Sequence, residues 1–214
     1  MSRNIRNTVL ASLAFIVIVL GAFTYSRFRE PLLDEAALKE QGTYVLPTPR
    51  AIAPFKLIDD RGQVFDGARL QGRWTIMYFG YTSCPDICPT TMSAVAQAEQ
   101  LLAKSRDSDL LKKLQVVFVS VDPERDTTEI LHRYVTAFSP DFVGVTGEHD
   151  AIAALATELN AAFMKVPGPD GSYQIDHTGN LVLIDPRGRY YAFMKLPHEA
   201  DRIERAYTSI ARSY

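Results

Sequence analysis

The stretch "WTIMYFGY", Trp74 to Tyr81, runs directly into "TSCPDICPTT", and this junction constrains the fold more than any other part of the chain. Nearly all of its residues are apolar and β-rich, without alternation, which predicts a strand buried on both faces. "TTMSAVAQAEQLLAKS" then predicts a helix, with Thr91, Val95, Ala98 and Leu102 on one stripe. A buried strand delivered into an amphipathic helix opens a βα unit, so the chain must cover a sheet with helices. The only two cysteines, Cys84 and Cys88, fall in the turn between strand and helix, with three residues between them and each followed by a proline.

The same alternation continues downstream. "LQVVFVSVD", Leu114 to Asp122, reads as a second buried strand, and "TTEILHRYVTAF" as a helix capped by Asp126 or Thr127. A short strand "DFVGVTG", a helix "EHDAIAALATELNAAF", a hairpin "LVLIDPRGRYYAFMK" and a closing helix from Pro197 or His198 follow. Upstream, "FKLIDDRGQVFD" alternates on both sides of an Asp-Asp-Arg-Gly turn and predicts a β-hairpin. Parallel strands with right-handed crossovers are expected in the middle. The predicted fold class is α/β: a thioredoxin-like (peroxiredoxin-like) domain with an N-terminal hairpin, over residues 55–214. In open α/β sheets, sites lie beyond the carboxyl ends of the strands, which is where the cysteines fall.

The N-terminus is different. "TVLASLAFIVIVLGAFTY", Thr8 to Tyr25, carries no charge. As a helix it would rise roughly 27 Å, near the hydrocarbon thickness of a bilayer. The run is longer than a usual signal core and no Ala-x-Ala-type site follows, so an uncleaved transmembrane anchor over 8–25 is expected. Arg3, Arg6 and the α-amino group outweigh Arg27 and Arg29, which Glu30 partly offsets. The positive-inside rule then places residues 1–7 in the cytoplasm and the globular part outside, in an oxidising compartment. Residues 26–54, with four prolines and no sustained apolar period, read as a tether with room for a short helix near Leu32–Glu40.

The cysteine turn admits three chemistries. Pro89 disfavours the α region at Cys88, so the helix is expected to begin at Pro89 with Cys88 as its cap. The two sulfurs would then flank a loop over the helix's positive end, where amides stabilise a thiolate. A structural disulfide would close only a three-residue loop and gain little. Reversible thiol–disulfide exchange and binding of a soft metal, Cu(I) or Zn(II), both suit such a pair. Two sulfurs leave a metal site incomplete. Of the four histidines, His132 lies mid-helix among charged neighbours, and His149 and His198 sit in first turns, where capping accounts for them. His177 precedes the strand Leu181–Ile184, whose entering loop packs against the cysteine loop in a thioredoxin-like fold. A net charge of −2 without a basic stripe excludes a nucleic-acid binder. At 214 residues the chain buries its own core without a disulfide staple.

"YFGYTSCPDICPTT", "VSVDPERDT" (Val119 to Thr127) and "DHTGNLVLIDPRG" (Asp176 to Gly188) resemble the Sco/SenC family of copper proteins, in family order and spacing. The resemblance covers essentially the whole domain from Phe55. It implies a thioredoxin-like domain facing the periplasm, or the mitochondrial intermembrane space, of which the inner membrane and periplasm are expected here, and copper, as Cu(I) and Cu(II), held by Cys84, Cys88 and His177. It implies help in building the binuclear CuA centre of cytochrome c oxidase. The partners would be the oxidase's copper-site subunit and a periplasmic copper donor. Asp122 and Asp126 match the family's D-x-x-x-D, which is held to influence the site or its partner; read alone, they are a strand end and a helix cap. Asp86 is a spacer in the motif or a turn residue satisfying backbone amides. The metal-free cysteines, sharing one turn outside the cytoplasm, are expected to oxidise reversibly to a Cys84–Cys88 disulfide. The expected role is that of a metallochaperone rather than a turnover enzyme. The alternative is a thiol–disulfide reductase that keeps the client's cysteines reduced. A peroxide-reducing enzyme ranks last, for want of a Thr-x-x-Cys pattern.

Overall fold

The computed structural model describes residues 3–27, 31–169 and 171–214. The chain divides into two units, the first ending at Leu32 and the second spanning Leu33–Tyr214. The first holds helix α1 (Arg3–Arg27), whose large apolar side chains, among them Val9, Phe15, Val17 and Ile18, are exposed. Among the residues whose side chains are described, no helix is long and apolar enough to cross a membrane; residues 3, 4, 22 and 24–27 of α1 stand outside that description.

The second unit begins earlier than the expected domain start at residue 55. Of the stretch expected as a tether, residues 28–30 lie outside the described residues, and most of the remainder is folded. Helix α2 (Glu35–Glu40) is capped by Asp34, which accepts from the Ala37 amide at 2.8 Å, and it buries Leu38. The Leu33 amide donates to Ser209 Oγ in the last helix at 2.9 Å. Strand β1 (Thr43–Ala51) then pairs antiparallel with the last strand. Pro47 and Pro49 argued against a strand, but β1 is an edge strand and its register slips between Val45 and Arg50, where the prolines sit. An edge or a bulge is where a strand tolerates a residue without an N–H.

The remaining elements follow the predicted alternation. Strands β2 (Lys56–Asp59) and β3 (Val64–Asp66) form the expected hairpin. Strand β4 (Trp74–Gly80) leads to helix α3 (Ile87–Lys104), and β5 (Leu114–Ser120) to α4 (Thr128–Thr136). Next come β6 (Val143–Thr146), α5 (His149–Glu158), β7 (Phe163–Pro167), β8 (Tyr173–His177), β9 (Leu181–Ile184), β10 (Arg189–Met194) and α6 (Ala200–Ser213). The main sheet has the order β1-β10-β9-β4-β5-β6-β2-β3. Strands β4, β5 and β6 are parallel, and β9 joins β4 antiparallel.

Every residue of β4 is buried, as a continuous apolar run in an interior strand requires. Thr91, Val95, Ala98 and Leu102 are buried along α3, which packs against α6. Strands β7 and β8 form a separate two-stranded ribbon that the sequence pattern did not indicate. The closing helix starts at Ala200, after Glu199, so neither Pro197 nor His198 opens it.

Candidate metal centre

The turn after β4 differs from expectation in its helix start. Helix α3 begins at Ile87 with Asp86 at its N-cap, so Cys88 lies in the first turn rather than capping it. Pro89 is the third helical residue, where an N–H has no intrahelical partner, and it therefore does not delay the helix. Asp86 is exposed and its side chain makes no cap hydrogen bond. Its carbonyl accepts from Thr90 Oγ1 at 2.9 Å. The turn is closed by the Cys84 amide, which donates to the Tyr81 carbonyl at 3.2 Å.

Both cysteines are free thiols. Cys88 is 0% exposed and Cys84 8%. The Cys88 sulfur rests on the backbone of the central strand: a Cβ on Gly80 would stand 2.7 Å from it. The Tyr78 hydroxyl donates toward the same sulfur at 3.8 Å. Burial, with the neighbouring Cys84 adding to it, pushes the Cys88 thiol well above its ordinary pKa, against a bond from Tyr81's backbone. Cys88 is therefore not a pre-ionised redox nucleophile, and a cation would have to displace its proton.

His177 supplies what the sulfurs lack. It ends β8 and brings Nε2 to 3.4 Å from Cys88 Sγ. Nδ1 faces the Thr178 carbonyl at 3.3 Å, which assigns the proton to Nδ1 and leaves the Nε2 lone pair toward the sulfurs. Burial lowers the imidazole's pKa and favours the neutral form that a metal requires. The rings of Tyr78 and Tyr81 meet the imidazole edge-on, with centroids at 6.0 and 5.9 Å. The donor atoms of Cys84, Cys88 and His177 all lie within 4.8 Å of one another.

The remaining histidines are elsewhere. His132 hydrogen-bonds Asp60 through Nδ1 at 2.6 Å, a partner its mid-helix position does not reveal. His149 begins α5 and packs on Phe163. His198 is not a cap. Its Nε2 donates to the Gly179 carbonyl at 2.7 Å and so holds the loop that follows His177. That loop is tightly packed: a Cβ on Gly179 would meet Leu196 at 2.6 Å and Ile87 at 2.9 Å.

The two aspartates also act at a distance. Thr127 caps α4, accepting from the Ile130 amide at 3.3 Å, which frees Asp126 from that role. Buried Asp126 instead accepts from the Thr82 amide at 3.0 Å, Thr82 Oγ1 at 2.6 Å and Ser120 Oγ at 2.6 Å. It thereby ties the start of the cysteine turn to the end of β5. Buried Asp122 accepts from Arg125 Nε and from the Tyr173 hydroxyl, the latter at 2.8 Å. Tyr173, Arg125, Tyr78 and Tyr81 were not singled out from the sequence. The one available signal was that Tyr173 precedes His177 by four, an even spacing that shares a strand face.

Two sulfurs and one imidazole nitrogen form a soft-to-borderline donor set that suits copper or zinc and not a hard cation. A family model described as SCO1/SenC matches residues 45–212. A Stutzerimonas stutzeri protein named for copper binding is 34% identical over 205 residues, 95% of this chain and 96% of its own length. The crystal structure of Arabidopsis thaliana ScoI with copper bound is similar at TM-score 0.70 and 35% identity, over 76% of this chain and 98% of that one. Bradyrhizobium japonicum ScoI with copper bound is similar at TM-score 0.66 and 33% identity, over 77% and 99%.

Proposed function

The chain belongs to the SCO1/SenC family, and from that premise we propose that it carries copper on Cys84 Sγ, Cys88 Sγ and His177 Nε2. One observation carries the reading: three donors of the right softness, from two distant parts of the sequence, converge within 4.8 Å. Three ligands leave a coordination position free, which suits cargo that is to be handed on. The recipient we propose is the copper-site subunit of cytochrome c oxidase, where the copper would help build CuA, with a periplasmic copper donor upstream. The protein is then a metallochaperone. When bound, copper takes electron density from both sulfurs; the chain's own residues supply the rest. Thr178 orients the imidazole, Tyr78 supports the Cys88 sulfur, and Asp126 fixes the turn.

The uncharged run Thr8–Tyr25 supports an anchor in the inner membrane, and Arg3 and Arg6 support a cytoplasmic N-terminus with residues 33–214 in the periplasm. A reporter fused after Tyr214 that is active only in the cytoplasm would refute this orientation.

The competing thiol–disulfide reductase needs an accessible, readily ionised sulfur, whereas Cys88 is buried and its thiol is pushed up. Copper stoichiometry and oxidase assembly, measured on wild type, Cys84→Ser and His177→Ala, separate the two. His177→Ala should lose the thiolate-to-Cu(II) absorption and most assembly activity while retaining the fold. If His177→Ala assembles the oxidase as well as wild type while Cys84→Ser does not, the reductase reading stands instead.

A further inference from the structure

His177 is not carried by the main sheet. It ends a ribbon whose two strands pair only with each other, and an isolated two-stranded ribbon is marginal in water. Contacts beyond the ribbon's own pairing must therefore help fix the ligand, and the Thr178 and His198 bonds act only at its His177 end. Along β8 the period of two puts Tyr173, Ile175 and His177 on one face. Ile175 is buried, while Gln174 and Asp176 are exposed. The ribbon thus lays that face on the domain, with His177 at one end and Tyr173 about 13 Å away at the other, at the usual rise per residue.

Half-buried Tyr173 is held mainly by the turn that follows β5. Its hydroxyl donates to Asp122 Oδ1 at 2.8 Å and reaches Glu124 at 3.4 Å. The Arg125 guanidinium lies 3.9 Å from the ring centroid, and the Lys165 ammonium lies 4.5 Å from it. Arg125 Nη1 also donates to the Tyr173 carbonyl at 3.3 Å. Lys165, on the partner strand β7, pairs with Glu124 at 2.5 Å. Burial and then the bond to Asp122 hold the Tyr173 hydroxyl up at about 12, so it remains a donor at neutral pH. Arg125 further faces the Tyr81 ring at 5.6 Å, the ring whose edge meets His177.

We infer that Tyr173, clamped by Asp122 and Arg125, is a positioning residue that helps hold His177 against Cys84 and Cys88 from the far end of the strand. It touches neither the sulfurs nor the imidazole and acts through the strand. Its consequence for copper rests on the function proposed above. The loss should fall on Cu(II), which prefers nitrogen donors, more than on Cu(I), which two thiolates hold.

The test uses the full chain as wild type, Tyr173→Phe, Tyr173→Ala, His177→Ala and the Tyr173→Ala/His177→Ala double variant. Competition with a chelator reads Cu(II) affinity. Tyr173→Ala should weaken it by about 10-fold or more, the scale of losses when a supporting contact of a metal ligand is removed. Tyr173→Phe, which keeps the ring between its cations, should fall between it and wild type. In the His177→Ala background Tyr173→Ala should add nothing, because both act through one ligand. Equal losses with and without His177, or no loss with it present, overturn the inference. Amide exchange of the metal-free chain gives a readout independent of copper. Tyr173→Ala should speed exchange at residues 174–178 and leave β4 and β5 unchanged; unchanged exchange at 174–178 also overturns it. If wild type and His177→Ala bind copper alike, the copper reading fails, and amide exchange still decides the clamp.

Discussion

The sulfur of Cys88 lies 3.4 Å from Nε2 of His177, although 89 positions of sequence separate them. The two arrive by different routes. Cys88 is set by the first turn of α3 resting on the central strand, and His177 by a ribbon outside the main sheet.

Gly80 gives Cys88 its seat. Adding a methyl there puts a carbon 2.7 Å from the sulfur and 3.0 Å from the Phe118 ring, with little room for either to move. Gly80→Ala should destabilise the fold by about 1–3 kcal/mol, as overpacking of a full core does. It should also weaken copper binding by displacing the sulfur. Urea unfolding and copper titration check it; wild-type values in both would show that the seat is not needed.

Asp126→Ala leaves the Thr82 amide, Thr82 Oγ1 and Ser120 Oγ without their shared acceptor. A buried donor deprived of its partner costs about 1–3 kcal/mol, so the urea midpoint should drop and copper affinity with it. Thr127→Ala removes only a helix cap, costing about 1 kcal/mol, and should leave copper binding unaltered. If the two variants lose copper affinity alike, Asp126 does no more than steady α4.

Burial holds both His177 and His198 below the ordinary value of 6.5. The unfolded chain therefore takes up protons at these rings before the folded chain does. The stability associated with the neutral rings is complete above about pH 6.5 and is lost as pH falls toward the folded-state values. The urea midpoint of the metal-free chain should fall between about pH 7.5 and pH 5.5. His198→Gln offers the Gly179 carbonyl a donor that does not titrate, so the decline should be shallower. Parallel declines in the two proteins would remove His198 from this account.

Cys84 is the more exposed of the two thiols and Cys88 is fully buried. Limited alkylation of the native metal-free chain should modify Cys84 first, as peptide mass spectrometry would show. Under mild oxidant the pair should close to a reversible intramolecular disulfide, and the oxidised chain should take up no copper until reduced, since a disulfide presents no thiolate. Copper uptake at full stoichiometry after oxidation would contradict this.

Much of this architecture was legible because it follows from runs of residues. The unbroken apolar stretch at Trp74–Gly80 and the stripe on α3 specify a buried strand and a packed helix in either language. Cys84, Cys88 and His177, whose donor atoms converge, stood out through the motifs that contain them. What stayed hidden depends on partners far away in the chain. Strand β1 is disguised by Pro47 and Pro49, which only its edge position and register slip accommodate. The ribbon strands "FMKVP" and "YQIDH" are short and largely exposed; the first shows no alternation, and the second alternates over too few residues to mark a strand. His198 and Asp126 sit near helix starts, where local capping is the natural reading; Gly179 and Thr82 claim them instead. Pro89 looked like the first residue of its helix because proline restrains its predecessor, yet the first turn absorbs it two positions further in.

Because the ribbon bearing His177 stands apart from the eight-stranded sheet, its opening is governed by local rather than global stability. A metal held by all three donors would drop to two whenever the ribbon lifts, with both sulfurs still seated on the central strand and helix. The residence time of the cargo would then depend on how often the hairpin opens, because the two remaining metal–sulfur bonds would exchange for the recipient's own donors only after the nitrogen has left. A recipient that offers its own donor during that interval could take the metal without unfolding anything.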